Sequence, residues 1–177
     1  MGKLFGLHRA MKGGIGSASV RVGPWVVGAL VACNAVGDVI DPATGRVIAG
    51  ARTEDSNALL DTQAALLQGV RSQRPLPGTN TTIGVLATNA RLDKAQCKRL
   101  AMSGHDGLAR SIRPAHTALD GDTLFALATG TQAEAPDVLL LSVMAAEAVA
   151  LAVVRAAHAA RGMQTTLGYL PSAYDLV

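Results

Sequence analysis

Seventeen consecutive residues, Val138 to Val154, read VLLLSVMAAEAVALAVV. A segment this apolar has to be removed from water. It is barely as long as a bilayer span, which takes about 17–25 residues, and it carries Glu147 at its centre. We therefore expect a helix over Asp137–Arg161, packed on both sides inside a soluble protein. Its Asp137 and its His158 and Arg161 suit the two ends of the helix dipole. Such a helix belongs in a layered fold. Only 3% of the chain is aromatic although 49% is apolar, so the layers must be built from Ala, Val, Leu and Gly, which allow backbones to approach closely. With 16% charged residues, disorder is excluded, and 177 residues suit one domain spanning 1–177.

The remaining elements mix strands and helices without a steady alternation. Trp25–Ala35 is a continuous apolar run of strand type that ends around Asn34. Val36–Ile40 and Arg46–Ala49 flank DPATG and read as a hairpin. Ser56–Gln68 reads as a helix capped by Ser56, with Leu59, Leu60, Leu66 and Leu67 as its apolar stripe. Gly69–Thr79 is an exposed connector rich in proline and arginine, followed by a strand at Thr82–Thr88. Asp93–Ile112 is helical, and Ala101, Gly104 and Leu108 on one side suit close packing on a sheet. An acidic turn, Asp120-Gly121-Asp122, leads into a strand at Thr123–Thr129. The sum is an α+β layered sandwich.

Several functions are set aside by composition and spacing. The net charge of +3 has no basic run behind it and few aromatics for base stacking, so no nucleic-acid partner is expected. Met11–Ser19, MKGGIGSAS, reads as a tight glycine loop but matches neither dinucleotide nor P-loop spacing. Cys33 and Cys97 form no disulfide framework, and His8, His105 and His158 lack paired metal spacing. We expect no cofactor, no metal and no membrane partner. The first residues lack the apolar stretch of a secretory signal, which leaves the cytoplasm as the expected location.

The chemistry centres on Asn80-Thr81-Thr82 at the start of a strand. An Asn and Thr that close a loop through local backbone bonds are the plain reading. The alternative is a threonine freed by chain cleavage. A threonine hydroxyl attacks poorly until a base takes its proton, and an N-terminal threonine carries that base as its own amine. The reference pKa of such an amine, about 7.7–8.0, suits proton transfer near neutrality. A strained Asn80–Thr81 bond could supply this terminus by itself, through attack of the hydroxyl on the Asn80 carbonyl.

NTTIGVLATNARL at Asn80–Leu92, IRPAHTALDGDTLFALATG at Ile112–Gly130, KGGIGSAS at Lys12–Ser19 and VGALVACNAVGDVIDPATGRVIAG at Val27–Gly50 together resemble the DmpA-type aminopeptidase/esterase family. The likeness is greatest to its branch of nylon-oligomer hydrolases. The resemblance implies an αββα sandwich of the N-terminal-nucleophile-like type shared with ornithine acetyltransferases. It implies self-cleavage between Asn80 and Thr81 into 1–80 and 81–177, the end of an α subunit and a β subunit. Substrates would be small peptides, amides or esters. Thr81 matches the nucleophile, Asn34 the oxyanion-binding asparagine, and Asp120 and Asp122 the acidic pair that orients the amine and hydroxyl. Lys12 is the lysine placed beside the site, and His116 reads as structural. Family precursors extend further at the N-terminus, so an incomplete sandwich with an open sheet edge is expected, and with it a homo-oligomer. Acyl transfer, or a non-catalytic structural remnant, are the alternative functions.

Overall fold

In the computed structural model, the residues described are 1–55, 58–73, 80–166 and 168–176. Four strands make the main sheet in the order β1-β2-β5-β7. They are β1 (Gly14–Val22), β2 (Trp25–Cys33), β5 (Ile83–Thr88) and β7 (Thr123–Ala128). β1, β2 and β5 run antiparallel in turn, and β7 runs parallel to β5. Of the described helices, α2 (Lys94–Ser111) and α3 (Val138–Ala159) cover one face of this sheet, α3 over β1 and β2 and α2 over β7, and they pack on each other. A small sheet of β3 (Asp38–Ile40), β4 (Val47–Ala49) and β6 (Ile112–Arg113) meets the same two helices. A hairpin of β8 (Met163–Thr165) and β9 (Gly168–Leu170) lies near the end of the chain.

Strand alternation divides the sheet cleanly. Ala18, Val27, Ala29, Val31, Leu86 and Leu124 point into the core against α3 residues such as Ala145, Ala152 and Val153. Small residues set how near the helices come. A Cβ on Gly16 would run into the Ala152 carbonyl oxygen and the Ala156 nitrogen, and one on Gly104 would stand 2.7 Å from Leu86 Cδ1. The opposite face presents Ile15, Leu30, Ile83, Phe125 and Leu127 outward. The fold is thus α+β, and the described residues supply one helix layer and one main sheet of a sandwich.

Two local expectations change. Met11–Ser19 is a loop only as far as Gly13; from Gly14 it is an edge strand, because each of its residues through Val22 pairs with β2. The expected helix at 56–68 shortens to α1 (Thr62–Leu67), capped by Asp61, whose Oδ1 accepts from the Ala64 amide at 3.0 Å. Its start is fixed by buried Asp38, which accepts from the Thr62 amide at 2.6 Å and hydroxyl at 2.7 Å. Leu59 and Leu60 are therefore extended, bridged to Arg52 and Ala51. Ser56 and residues 74–79 of the connector lie outside the described residues. α3 is long and apolar enough to cross a membrane, yet its inner side packs on the sheet and on α2.

Candidate active site

Strand register assembles the site. β2 ends at Cys33, and its Ala32 pairs with Ile83 at the start of β5, so Asn34 lies beside Thr81 and Thr82. Ile83 pairs in parallel with Thr123, which brings the Asp120-Gly121-Asp122 turn to the same edge. Gly14 pairs with Cys33, so Lys12 and Gly13 enter from the far side. Four chain segments distant in sequence thus meet at one end of one sheet.

The bond between Asn80 and Thr81 is held tightly. The Gly121 amide donates to the Asn80 carbonyl oxygen at 2.9 Å, and the Thr123 amide to that of Thr82 at 3.0 Å. Asp122 Oδ1 accepts from the Thr82 amide at 2.8 Å. The Thr81 hydroxyl lies against Gly121, 2.8 Å from where a Cβ on that glycine would stand. Asn80 is fully buried; its Oδ1 accepts from Lys3 Nζ at 3.0 Å, while its Nδ2 has no hydrogen-bond partner among the described residues. Asp120 serves its own loop, with Oδ2 accepting from the Thr117 amide at 2.9 Å and hydroxyl at 2.8 Å.

The lysine bonded to this cluster is Lys3. Its Nζ donates to Asn34 Oδ1 at 2.6 Å, to the Asn34 carbonyl at 3.2 Å, and to Asn80. Lys12, the lysine expected from sequence, donates to the Gly13 carbonyl at 3.3 Å and lines, with Lys3, Asn34 and Tyr169, a cavity of about 480 Å³ beside Asn34. No local pattern marks Lys3. It arrives because the Gly2 and Lys3 amides donate to the carbonyls of Gly37 and Val36, which lays the first residues along the turn after β2.

Burial governs the charges. Desolvation holds the Lys3 ammonium below the usual lysine range, with Cys33 and Asp120 opposing it. Desolvation likewise pushes the Asp122 carboxyl up, helped by nearby Asp120 and opposed by the Thr82 amide and by His116 and His105. Those two histidines form a pair, His105 Nδ1 to His116 Nε2 at 3.1 Å, so one ring donates and the other accepts. Desolvation first, then His116, lowers the pKa of His105. Sequence reading gave His116 a structural part and found no partner for it, because the two imidazoles meet only through the packing of α2. Among the described residues, no group of three His, Cys, Asp or Glu side chains could hold a metal ion.

Comparison with known proteins bears on the family and the fold. Residues 7–169 match Peptidase family S58. An uncharacterized aminopeptidase of Mycobacterium leprae is 43% identical over a 185-residue alignment covering 93% of this chain and 50% of that protein. A 6-aminohexanoate-oligomer endohydrolase of Paenarthrobacter ureafaciens is 34% identical over 120 residues, 66% of this chain and 33% of that protein. Among solved structures, a Burkholderia β-aminopeptidase superposes with TM-score 0.65 at 26% identity, over 95% of this chain and 49% of that one. The L-aminopeptidase/D-Ala-esterase/amidase of Ochrobactrum anthropi, described as a variant of the Ntn hydrolase fold, gives 0.60 at 25% identity over 93% and 46%. The chain spans about half the length of the curated relatives it first matches. With that span of sequence matched and that fold shared, the chain belongs to peptidase family S58.

Proposed function

We propose that the chain carries the nucleophile half of a self-processing hydrolase of peptide and amide bonds, with Thr81 as the attacking residue. The observation that carries this reading is the environment of the Asn80–Thr81 bond: the Asn80 carbonyl accepts from the Gly121 amide, the Thr82 amide donates to Asp122, and the Thr81 hydroxyl lies against Gly121. Lys3, whose burial favours the neutral amine, is the basic group bonded to Asn34 and Asn80. Cutting leaves Thr81 as a new terminus, whose own amine then takes the hydroxyl proton. The acyl group of a small peptide, amide or ester passes to Thr81 Oγ, the amine or alcohol leaves with the proton held by the Thr81 amine, and water then hydrolyses the ester to release the acid. Asn34, at the same sheet end, matches the asparagine whose side-chain amide donates to the developing oxyanion. Relatives named as aminopeptidases and as an oligoamide hydrolase support this substrate class. Intact mass of purified protein tests the reading: fragments 1–80 and 81–177 are expected, and Thr81→Ala should leave one chain and no amidase activity. Cutting that persists in Thr81→Ala would assign the break to another protease.

A second reading rests on the outward sheet face. Ile15 is 65% exposed and Phe125 58%, and three more large apolar residues share their face. Chains that pair through it would form a homo-oligomer, detectable by light scattering.

A further inference from the structure

Position 121 is a glycine for a reason that its own backbone does not supply. Its φ is outside the left-handed region, and Gly121 is exposed, so an alanine would be conformationally acceptable there. What fills the space is the Thr81 hydroxyl, 2.8 Å from the Cβ position, with the Asn80 carbonyl oxygen 3.8 Å from it. The amide of the same residue donates to that carbonyl oxygen at 2.9 Å. One residue therefore meets both reacting groups of the Asn80–Thr81 bond, the electrophile through its N–H and the nucleophile through its missing side chain.

We propose that the Gly121 amide is the oxyanion donor for self-cleavage, and that residue 121 must lack a side chain so that the Thr81 hydroxyl can occupy its attack position. The assignment rests on the self-processing reading above. In the step concerned, Thr81 Oγ bonds to the Asn80 carbonyl carbon, and the carbonyl oxygen gains negative charge. The Asn80–Thr81 C–N bond then breaks, and the hydroxyl proton ends on the Thr81 nitrogen, giving an ester and a free amine. One water hydrolyses the ester to the Asn80 carboxylate and restores the hydroxyl. The donor already lies within 2.7–3.1 Å of the oxygen that becomes charged, and a hydrogen bond to an anion is shorter and roughly twice as strong as one to a neutral carbonyl. The bond thus strengthens where catalysis needs it. Burial of Asn80 and the Lys3 bond to its Oδ1 hold the peptide plane toward this donor.

The test replaces Gly121 with glycolic acid in the full chain, so that the link to Asp120 becomes an ester without an N–H. Self-cleavage is followed by intact mass, and thermal melting checks that the variant folds. Loss of one oxyanion donor should slow cutting roughly 10²–10³-fold. Gly121→Ala keeps the N–H but intrudes on Thr81, and should slow cutting at least about tenfold, since even a 1.4 kcal/mol rise in the barrier does so. Wild-type chain that cuts while the ester variant matches its rate overturns the donor assignment alone. Unchanged cutting in Gly121→Ala overturns the steric requirement. Wild-type chain that stays whole overturns the self-processing reading, and this assignment with it.

Discussion

The two faces of the main sheet are made by the same four strands and follow opposite rules. On the covered face, one row of paired positions runs Gly16, Val31, Gly84, Leu124, glycines alternating with branched side chains. On the open face the next row runs Ser17, Leu30, Val85, Phe125. The covered face is shaped by what it must fit beneath, and its glycines admit the backbone of α3 and the side chain of Leu124. The open face keeps its bulk and has no helix above it among the described residues. Small residues mark a contact already made, and large apolar ones in a row mark a contact still available.

Substitutions should separate the faces in order of effect. Leu86→Ala, at a fully buried position, should leave a cavity and lower stability by about 2–5 kcal/mol in chemical denaturation. Gly16→Val adds volume where α3 backbone already sits, and should lower it by about 1–3 kcal/mol; an unchanged melting curve would mean that α3 does not lie so near β1. Asp122→Asn, at the sheet end, keeps an acceptor for the Thr82 amide and removes a desolvated charge. Because the folded-state pKa of Asp122 is raised, the native protein binds more protons than the unfolded chain just above 3.8. Wild-type stability relative to this variant should therefore fall as pH rises from 3.8 through that raised value, then level off. Melting curves across that window check the sign. Phe125→Ser on the open face should change stability by within about 0.5 kcal/mol while lowering the mass of any assembly seen by light scattering. A large loss of stability there would mean that the face is not open.

How much of this was legible beforehand follows physical lines. The long helices and central strands were readable because their signals are local. Asp93 caps α2 through a capping box with Gln96, Asp137 caps α3, and the hydrophobic runs of β2, β5 and β7 stop where the sheet stops. The start of α1 is not legible locally, because Asp38, more than twenty residues upstream, decides where that helix begins. β1 reads as a loop in sequence because its glycines, which look like turn residues, are where α3 lies against it. At the site, the motifs name Asn34, Thr81, Asp120 and Asp122, and register brings their three segments together, although Asp120 turns its carboxylate to Thr117. Lys3 and the His105–His116 pair were not readable, since no spacing along the chain connects them to their partners.

The sequence by itself determined which segments leave water, where the two long helices begin, and which strand opens with Asn80-Thr81, because burial, capping and turn chemistry act over a few neighbouring residues. The tertiary structure alone decided which lysine bonds Asn34 and Asn80, which face of the sheet is covered, and which amide meets the Asn80 carbonyl. Those outcomes depend on strand register and helix approach, which are set by summed contacts between segments far apart in the chain.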